Sequence, residues 1–347
     1  MTKTIYKYYL LIIGLLAAVT LASCDSEELP AMMEQHAIVF ASEEANEQSV
    51  MLKGATPLNN NFTVWGYKTL PSGTQMVFKQ YSVTYAAGTA NTTETNTHDY
   101  EYVSGGQTIK YWDFGASAYR FWGATGGSWN PDGTQLTIPG LQQSTTEPAS
   151  VVLFSELYQR SPVSGEVVQL KFRHPYTKVR IMFYTGDQIS NEAFDNIDIK
   201  GITLAPASGT IPTAGKLMVN YSKSGERETF DIDATTSAAS LAFGNVSLCD
   251  GHGTASNNAV IAMPTGGTEY YYVLPNDKDV NRPFVLNATI DGETKTAVLP
   301  AAYMNWQPNY SYTYIFKISS GNRIEIFDVK IDPWKFGGSQ EEEWKNW

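Results

Sequence analysis

Phe284-Val-Leu-Asn-Ala-Thr-Ile290 and Lys295-Thr-Ala-Val-Leu299 flank Asp291-Gly292, and this arrangement decides the fold class. Two short strand-forming runs joined by Asp-Gly are the commonest signal for a tight β-hairpin. Moving outward, Tyr312-Thr-Tyr-Ile-Phe-Lys-Ile318 and Ile324-Glu-Ile-Phe-Asp-Val-Lys-Ile331 continue the strand pattern to near the C-terminus. Upstream, Val167-Val-Gln-Leu-Lys-Phe-Arg-His174 puts Val168, Leu170, Phe172 and His174 on one face, and Lys178-Val-Arg-Ile-Met-Phe-Tyr184 alternates likewise. These two runs are expected to pair as a hairpin around Pro175.

The first half reads the same way. His36-Ala-Ile-Val-Phe40 is a first short strand, and Phe62-Thr-Val-Trp-Gly-Tyr67 and Tyr81-Ser-Val-Thr-Tyr85 are half-buried strands between turn signals. Val151-Val-Leu-Phe154 is continuously apolar and suits a strand covered on both faces. No long segment carries a 3.6-residue period. Aromatics make up 13% of the 347 residues, with 21 tyrosines and 28 glycines against only 17% charged residues, which favours strands and tight turns over helical bundles. The expectation is an all-β protein of two tandem antiparallel β-sandwiches, residues 36–163 and 164–334, divided near Ser161-Pro-Val-Ser-Gly165.

The N-terminus determines location. Lys3 and Lys7 precede a nearly unbroken apolar run from Leu10 to Ala22, too short to span roughly 30 Å of hydrocarbon. This is a secretory signal peptide over residues 1–23. Its end, Leu21-Ala-Ser-Cys24, resembles the lipobox of bacterial lipoproteins. That resemblance implies acylation of Cys24 and a tether to the outer membrane, with each buried methylene contributing about 0.8 kcal/mol and two or more chains needed for stable anchoring. Asp25, Glu27 and Glu28, within a linker over 24–35, are similar to the tag that sends some lipoproteins to the cell surface; a solvated linker would look the same. With Cys24 consumed by lipid, Cys249 has no partner for an internal disulfide, and it reads either as a small apolar residue or as a thiol. The formal charge of -11 repels phosphate backbones, which argues against a nucleic-acid partner.

Val-Gln-Leu-Lys-Phe-Arg-His174 with Lys-Val-Arg-Ile181, then Trp306-x-Pro-x-Tyr310-x-Tyr-x-Tyr314, then Ile-Phe-Asp-Val-Lys-Ile-Asp-Pro-Trp334, form an ordered set that resembles the fimbrillin family. The resemblance implies transthyretin-like sandwich domains and a surface adhesion lipoprotein, an anchor, tip or accessory subunit of a fimbria, whose partners are other subunits or a surface ligand. It also implies assembly by strand addition, in which a cut behind the first strand frees a groove for another subunit's strand. The family's cut follows an arginine, but none occurs here before Arg120. Lys53, the only lysine or arginine between Cys24 and Trp65, is the candidate position, with an ordinary surface lysine as the alternative. The tail 335–347 carries Glu341-Glu-Glu343, which fits an alternating donor strand poorly and favours an anchor or tip over a stalk subunit.

No catalytic constellation stands out. His36, His98, His174 and His252 lack the spacing of metal ligands, and Asp250-Gly-His-Gly253 matches no phosphate-cradling pattern. No enzymatic activity, metal or cofactor is expected. Trp112, Trp122 and Trp129 could form a sugar-stacking platform, with Trp129 the best candidate in its Asn130-Pro131 turn, or they could be core rings. A platform would make the chain a carbohydrate-binding lipoprotein of a glycan uptake system.

Overall fold

The structure is a computed structural model that describes residues 37–44, 61–83, 108, 110–163, 166–185, 197–225, 227–247, 259–267, 269–276, 282–319 and 323–334. The strands in chain order begin with β1 (Val39–Glu44), β2 (Phe62–Leu70), β3 (Gly73–Val83), β4 (Ala118–Ala124), β5 (Ser128–Trp129), β6 (Gln135–Gln142) and β7 (Phe154–Ser155). Next come β8 (Tyr158–Arg160), β9 (Val167–Arg173), β10 (Thr177–Thr185), β11 (Asp198–Pro206), β12 (Ile211–Asn220), β13 (Thr229–Ala238) and β14 (Leu241–Ala242). The last are β15 (Val246–Ser247), β16 (Ala259–Ala262), β17 (Tyr271–Val273), β18 (Phe284–Ile290), β19 (Glu293–Leu299), β20 (Tyr310–Ser319) and β21 (Arg323–Pro333).

They form four sheets. The first runs β1-β9-β7-β4-β2-β3, with β8 on β4; the second is β13-β12-β6-β5. The third is β16-β10-β20-β21 with β17 on β10, and the fourth is β14-β11-β18-β19 with β15 on β11. The third and fourth sheets enclose one core, in which Val179, Ile181 and Phe183 meet Leu204, Leu286 and Trp306. The first and second enclose another, built around Trp65, Trp122, Phe154, Leu136 and Leu217. The fold is therefore all-β and made of packed sheets.

The first sheet is buried on both faces. Along β4, Tyr119 and Phe121 point into one apolar cluster while Trp122 and Ala124 point into the other. That explains why burial is continuous from Tyr119 to Ala124, where a half-exposed strand would alternate. The second cluster exists because the sheet curls. β1 and β3 are its two edges, yet Phe40 of β1 meets Phe78 of β3 with ring centroids 5.1 Å apart. The bend comes from β3, whose pairing with β2 jumps from Val64↔Tyr81 to Gly66↔Phe78 and sets Lys79 and Gln80 opposite Trp65 alone, Gln80 with φ 48°. Gly66 sits under the fold of the curl, where a Cβ would lie 2.8 Å from both Phe121 and Phe78.

Three expectations need correction. Val167–Arg173 and Thr177–Thr185 do not form a hairpin: β9 pairs with β1 and β7 in the first sheet, whereas β10 joins β16, β17 and β20 in the third. Pro175 between them lacks an N–H, and the chain uses it to cross between sheets. The pairings also run across residue 163, since β9, β12 and β13 complete the first two sheets. The first strand is displaced towards Glu44 from the expected 36–40. The Asp291-Gly292 hairpin forms as expected, with φ of 48° and 85° in the two-residue turn between β18 and β19.

Candidate functional site

β1 is the element with the most unusual seat. It pairs in parallel with β9 from Val39↔Val167 to Glu44↔Phe172, at the edge of an otherwise antiparallel sheet. Ile38, just before it, and Phe40 and Ser42 within it are each fully buried. Phe40 is the deepest plug: its ring lies edge-on to Phe78 and Phe121 at 5.1 and 5.3 Å and tilted to Tyr81 at 6.4 Å. Edge-to-face contacts of this kind add to an area term of about 1.5–3 kcal/mol for a fully buried Phe. Burial also pushes the Tyr81 hydroxyl well above its ordinary pKa. The seat is thus an aromatic-lined groove occupied by a strand that enters from a sequence-distant part of the chain.

The second concentration of side chains lies where the outer face of the third sheet meets the first core. Asn309, in the left-handed region at φ 69°, ties three segments together. Its Oδ1 accepts the His174 N–H at 2.9 Å, its own N–H donates to Tyr176 O at 2.9 Å, and its carbonyl accepts the Trp334 N–H at 2.6 Å. Trp334 then stacks on the His174 ring at 3.8 Å. The Trp306 motif has its own logic: Trp306 Nε1 donates to the Tyr314 hydroxyl at 2.9 Å, and that hydroxyl donates to Tyr303 O at 2.8 Å. Three stretches quoted from the sequence therefore converge in space.

Lys178 occupies the centre of this junction. It is 6% exposed, and its ammonium sits 4.1 Å from the Trp334 ring centroid, 5.4 Å from Tyr270 and 5.7 Å from Tyr272. Ring faces stabilise the cation, but burial outweighs Glu147's attraction and lowers the lysine to about 8. Its neighbour Arg180 reaches Glu269 at 2.8 Å and Thr313 Oγ1 at 3.2 Å. Burial lowers His174 to about 3, and Lys178's charge adds to the effect; Nδ1 accepts the Tyr176 N–H at 3.3 Å. These contacts tie β10 to β17, β20 and Trp334. Among the described residues no cluster of three or more His, Cys, Asp or Glu could hold a metal.

Trp112 is buried in the curl of the first sheet with Phe40, whereas Trp122 lies in the core on that sheet's opposite face. Trp129 is half-buried in β5, not in the turn, and packs on Trp65 at 6.0 Å and Tyr221 at 5.8 Å. The three rings do not gather on one surface. Cys24, Lys53, Cys249 and the Asp250-Gly-His-Gly253 stretch lie outside the described residues, as do His36, His98 and His252. Sequence reading missed Lys178 and Asn309. A lysine at an alternating position of an apolar strand, two residues before Arg180, was the available signal for the first; the second carried none beyond its place in Trp306-x-Pro-x-Tyr310.

The sequence profile described as fimbrillin-like matches residues 53–334. No curated protein matches the chain. Among solved structures, the chain is similar to a fimbrial protein from Bacteroides vulgatus ATCC 8482, with 16% identity, 86% of this chain and 99% of that chain covered, and a TM-score of 0.41. It is also similar to a fimbrial assembly protein from Parabacteroides distasonis ATCC 8503, with 12% identity, coverage of 86% and 100%, and a TM-score of 0.36. A third is a candidate cell adhesion protein from Bacteroides ovatus ATCC 8483, with 14% identity, coverage of 87% and 98%, and a TM-score of 0.42.

Proposed function

The chain belongs to the fimbrillin-like family, and on that premise we propose that it is a non-enzymatic adhesion protein of the cell surface, a fimbrial subunit that joins its partners by strand addition. The observation that carries this reading is the seat of β1. A parallel edge strand, paired along its length with β9 and plugged by Phe40 into an aromatic groove, is suited to replacement by another chain's strand. Backbone bonds to β9 would give affinity, and side chains at the Ile38, Phe40 and Ser42 positions would give selectivity. In this reading Cys24 carries the lipid that holds the protein at the outer membrane. Lys53, behind β1 in the chain, is where a lysine-directed cut frees the strand. Each pair of packed sheets is one module, the first taking β9, β12 and β13 from beyond residue 163. The glutamates of the tail, Glu341-Glu-Glu343, support an anchor or tip role over a stalk role.

The test is to cut purified protein with a lysine-specific protease and add a synthetic peptide of residues 36–46 carrying a fluorophore. Uptake of the peptide by cut but not uncut protein supports strand addition; failure of the cut protein to take it up under any condition overturns it. Sequencing the mature N-terminus from cells then separates a lipidated Cys24 from a terminus at Gly54. A Cys24→Ser variant is expected to lose membrane attachment.

A further inference from the structure

β1 has a second neighbour. At its N-terminal end Ile38 donates its N–H to Lys110 O at 2.8 Å, and Ala37 forms an antiparallel bridge with Tyr111. The segment 110–117 that supplies these contacts is fastened into the cluster inside the curl of the first sheet. Trp112, 6% exposed, packs edge-on to Tyr119 at 4.7 Å and Phe121 at 5.9 Å, and Ala116 is buried beside it. Asp113 accepts from Lys68 Nζ at 2.6 Å and from Gly115 N at 2.9 Å, while its own N–H donates to the Tyr119 hydroxyl at 2.7 Å. Ser117 closes the segment by donating its N–H to Thr69 O at 2.8 Å.

Phe121 is the shared member: its ring meets both Trp112 and Phe40. The strand's plug and the segment's anchor therefore rest on the same side chain. The fastening differs in kind from the β1–β9 pairing. It is a short contact held by an ion pair at 20% and 40% side-chain exposure, one indole and a few separate hydrogen bonds, not by a long ladder. Contacts of that sort open locally long before the whole fold does.

We propose that residues 110–117 are a latch on the first strand. β1 leaves its groove only after this segment lifts, and the Trp112 anchor and the Lys68–Asp113 pair set how often it lifts. The latch rests on the strand-addition reading for its purpose, but its existence is measurable without any cut or partner.

Hydrogen exchange followed by mass spectrometry on the uncut full chain provides the test, comparing wild type with Trp112→Leu and Lys68→Met. Amides of β1 are expected to exchange at least about tenfold faster in Trp112→Leu, and about two- to fivefold faster in Lys68→Met, the range of a partly exposed ion pair. Amides of the β18–β19 hairpin should keep their wild-type rates in both. If residues 113–117 speed up while β1 does not, the segment opens without freeing the strand and the latch is refuted. Equal acceleration of β1 and the hairpin would refute it as well, because β1 would then open only with the whole chain. A latch that behaves as expected in a protein that never takes up a donor peptide would leave this inference standing and sink the function proposed above.

Discussion

Lys178 and His174 give the junction pH responses of the same sign in two separate windows, because burial lowers both. Below pH 8 folded and unfolded chains alike carry the Lys178 ammonium, and the folded state bears the cost of burying it. Between about 8 and the free-lysine value of 10.5 the unfolded chain binds the proton alone, so stability rises with pH through that window. Lys178→Met should abolish this rise, roughly 1–2 kcal/mol between pH 8 and 10, and leave stability at pH 7 equal or higher, as read by urea denaturation. Buried Tyr314 and Tyr221 are pushed up and act in the opposite sense only above their ordinary value of 10. For His174, stability is complete above 6.5 and falls as pH drops towards 3, because only the unfolded chain takes up the proton. His174→Phe, which keeps a ring against Trp334, should flatten this loss of about 2–3 kcal/mol between pH 6.5 and 4 in the same assay.

Turns decide how well the elements are specified, and two glycines with similar backbone angles should behave differently. Gly292 has φ +85° and open space around its Cβ position, so Gly292→Ala should cost only the left-handed penalty of about 1–2 kcal/mol. Gly133 has φ +66°, but a Cβ there would lie 2.0 Å from the Trp65 indole, and its carbonyl accepts the Trp122 Nε1 proton at 2.7 Å. Gly133→Ala should therefore cost about 3 kcal/mol or more, measured by thermal or urea unfolding. The first turn was legible in the sequence because Asp-Gly between strand runs is a local signal. Gly133 was legible only as a turn, since the tryptophans that need its missing side chain come from β2 and β4. The same division runs through the fold. Strand identity at β2, β9, β10, β18, β20 and β21 could be read from neighbouring residues. Partner choice could not: β9 and β10 have the alternation of a hairpin, yet Pro175 and the Asn309 contacts send them to different sheets. β13 was missed because its run Thr229–Ala238 is polar and faces solvent over most of its length. The groove was half legible, since Phe40 stood in the first expected strand while its pocket depends on a curl set by the bulge at Gln80.

Across the whole molecule, Trp334, the last described residue, ties the third sheet to the core of the first two. It lies in the cluster of the first two sheets, follows directly on β21 of the third, and takes its backbone bond from Asn309. Trp334→Ala should destabilise by about 3–5 kcal/mol and split a single calorimetric transition into two, as the third sheet loses its ring in the core of the first two. Retention of one sharp transition at a lowered temperature would show that the remaining contacts, such as Ser144↔Tyr272, suffice to couple the two cores. The parallel register of β1 on β9 has a further consequence for any assembly built through that groove. A replacement keeping the register must lie in the direction of β9, with its leading end beside Val167 and its trailing end beside Phe172. Donor and acceptor are then never interchangeable at a joint. A row of such joints would have distinct ends, and a subunit offering a groove but no matching tail could stand only at one of them.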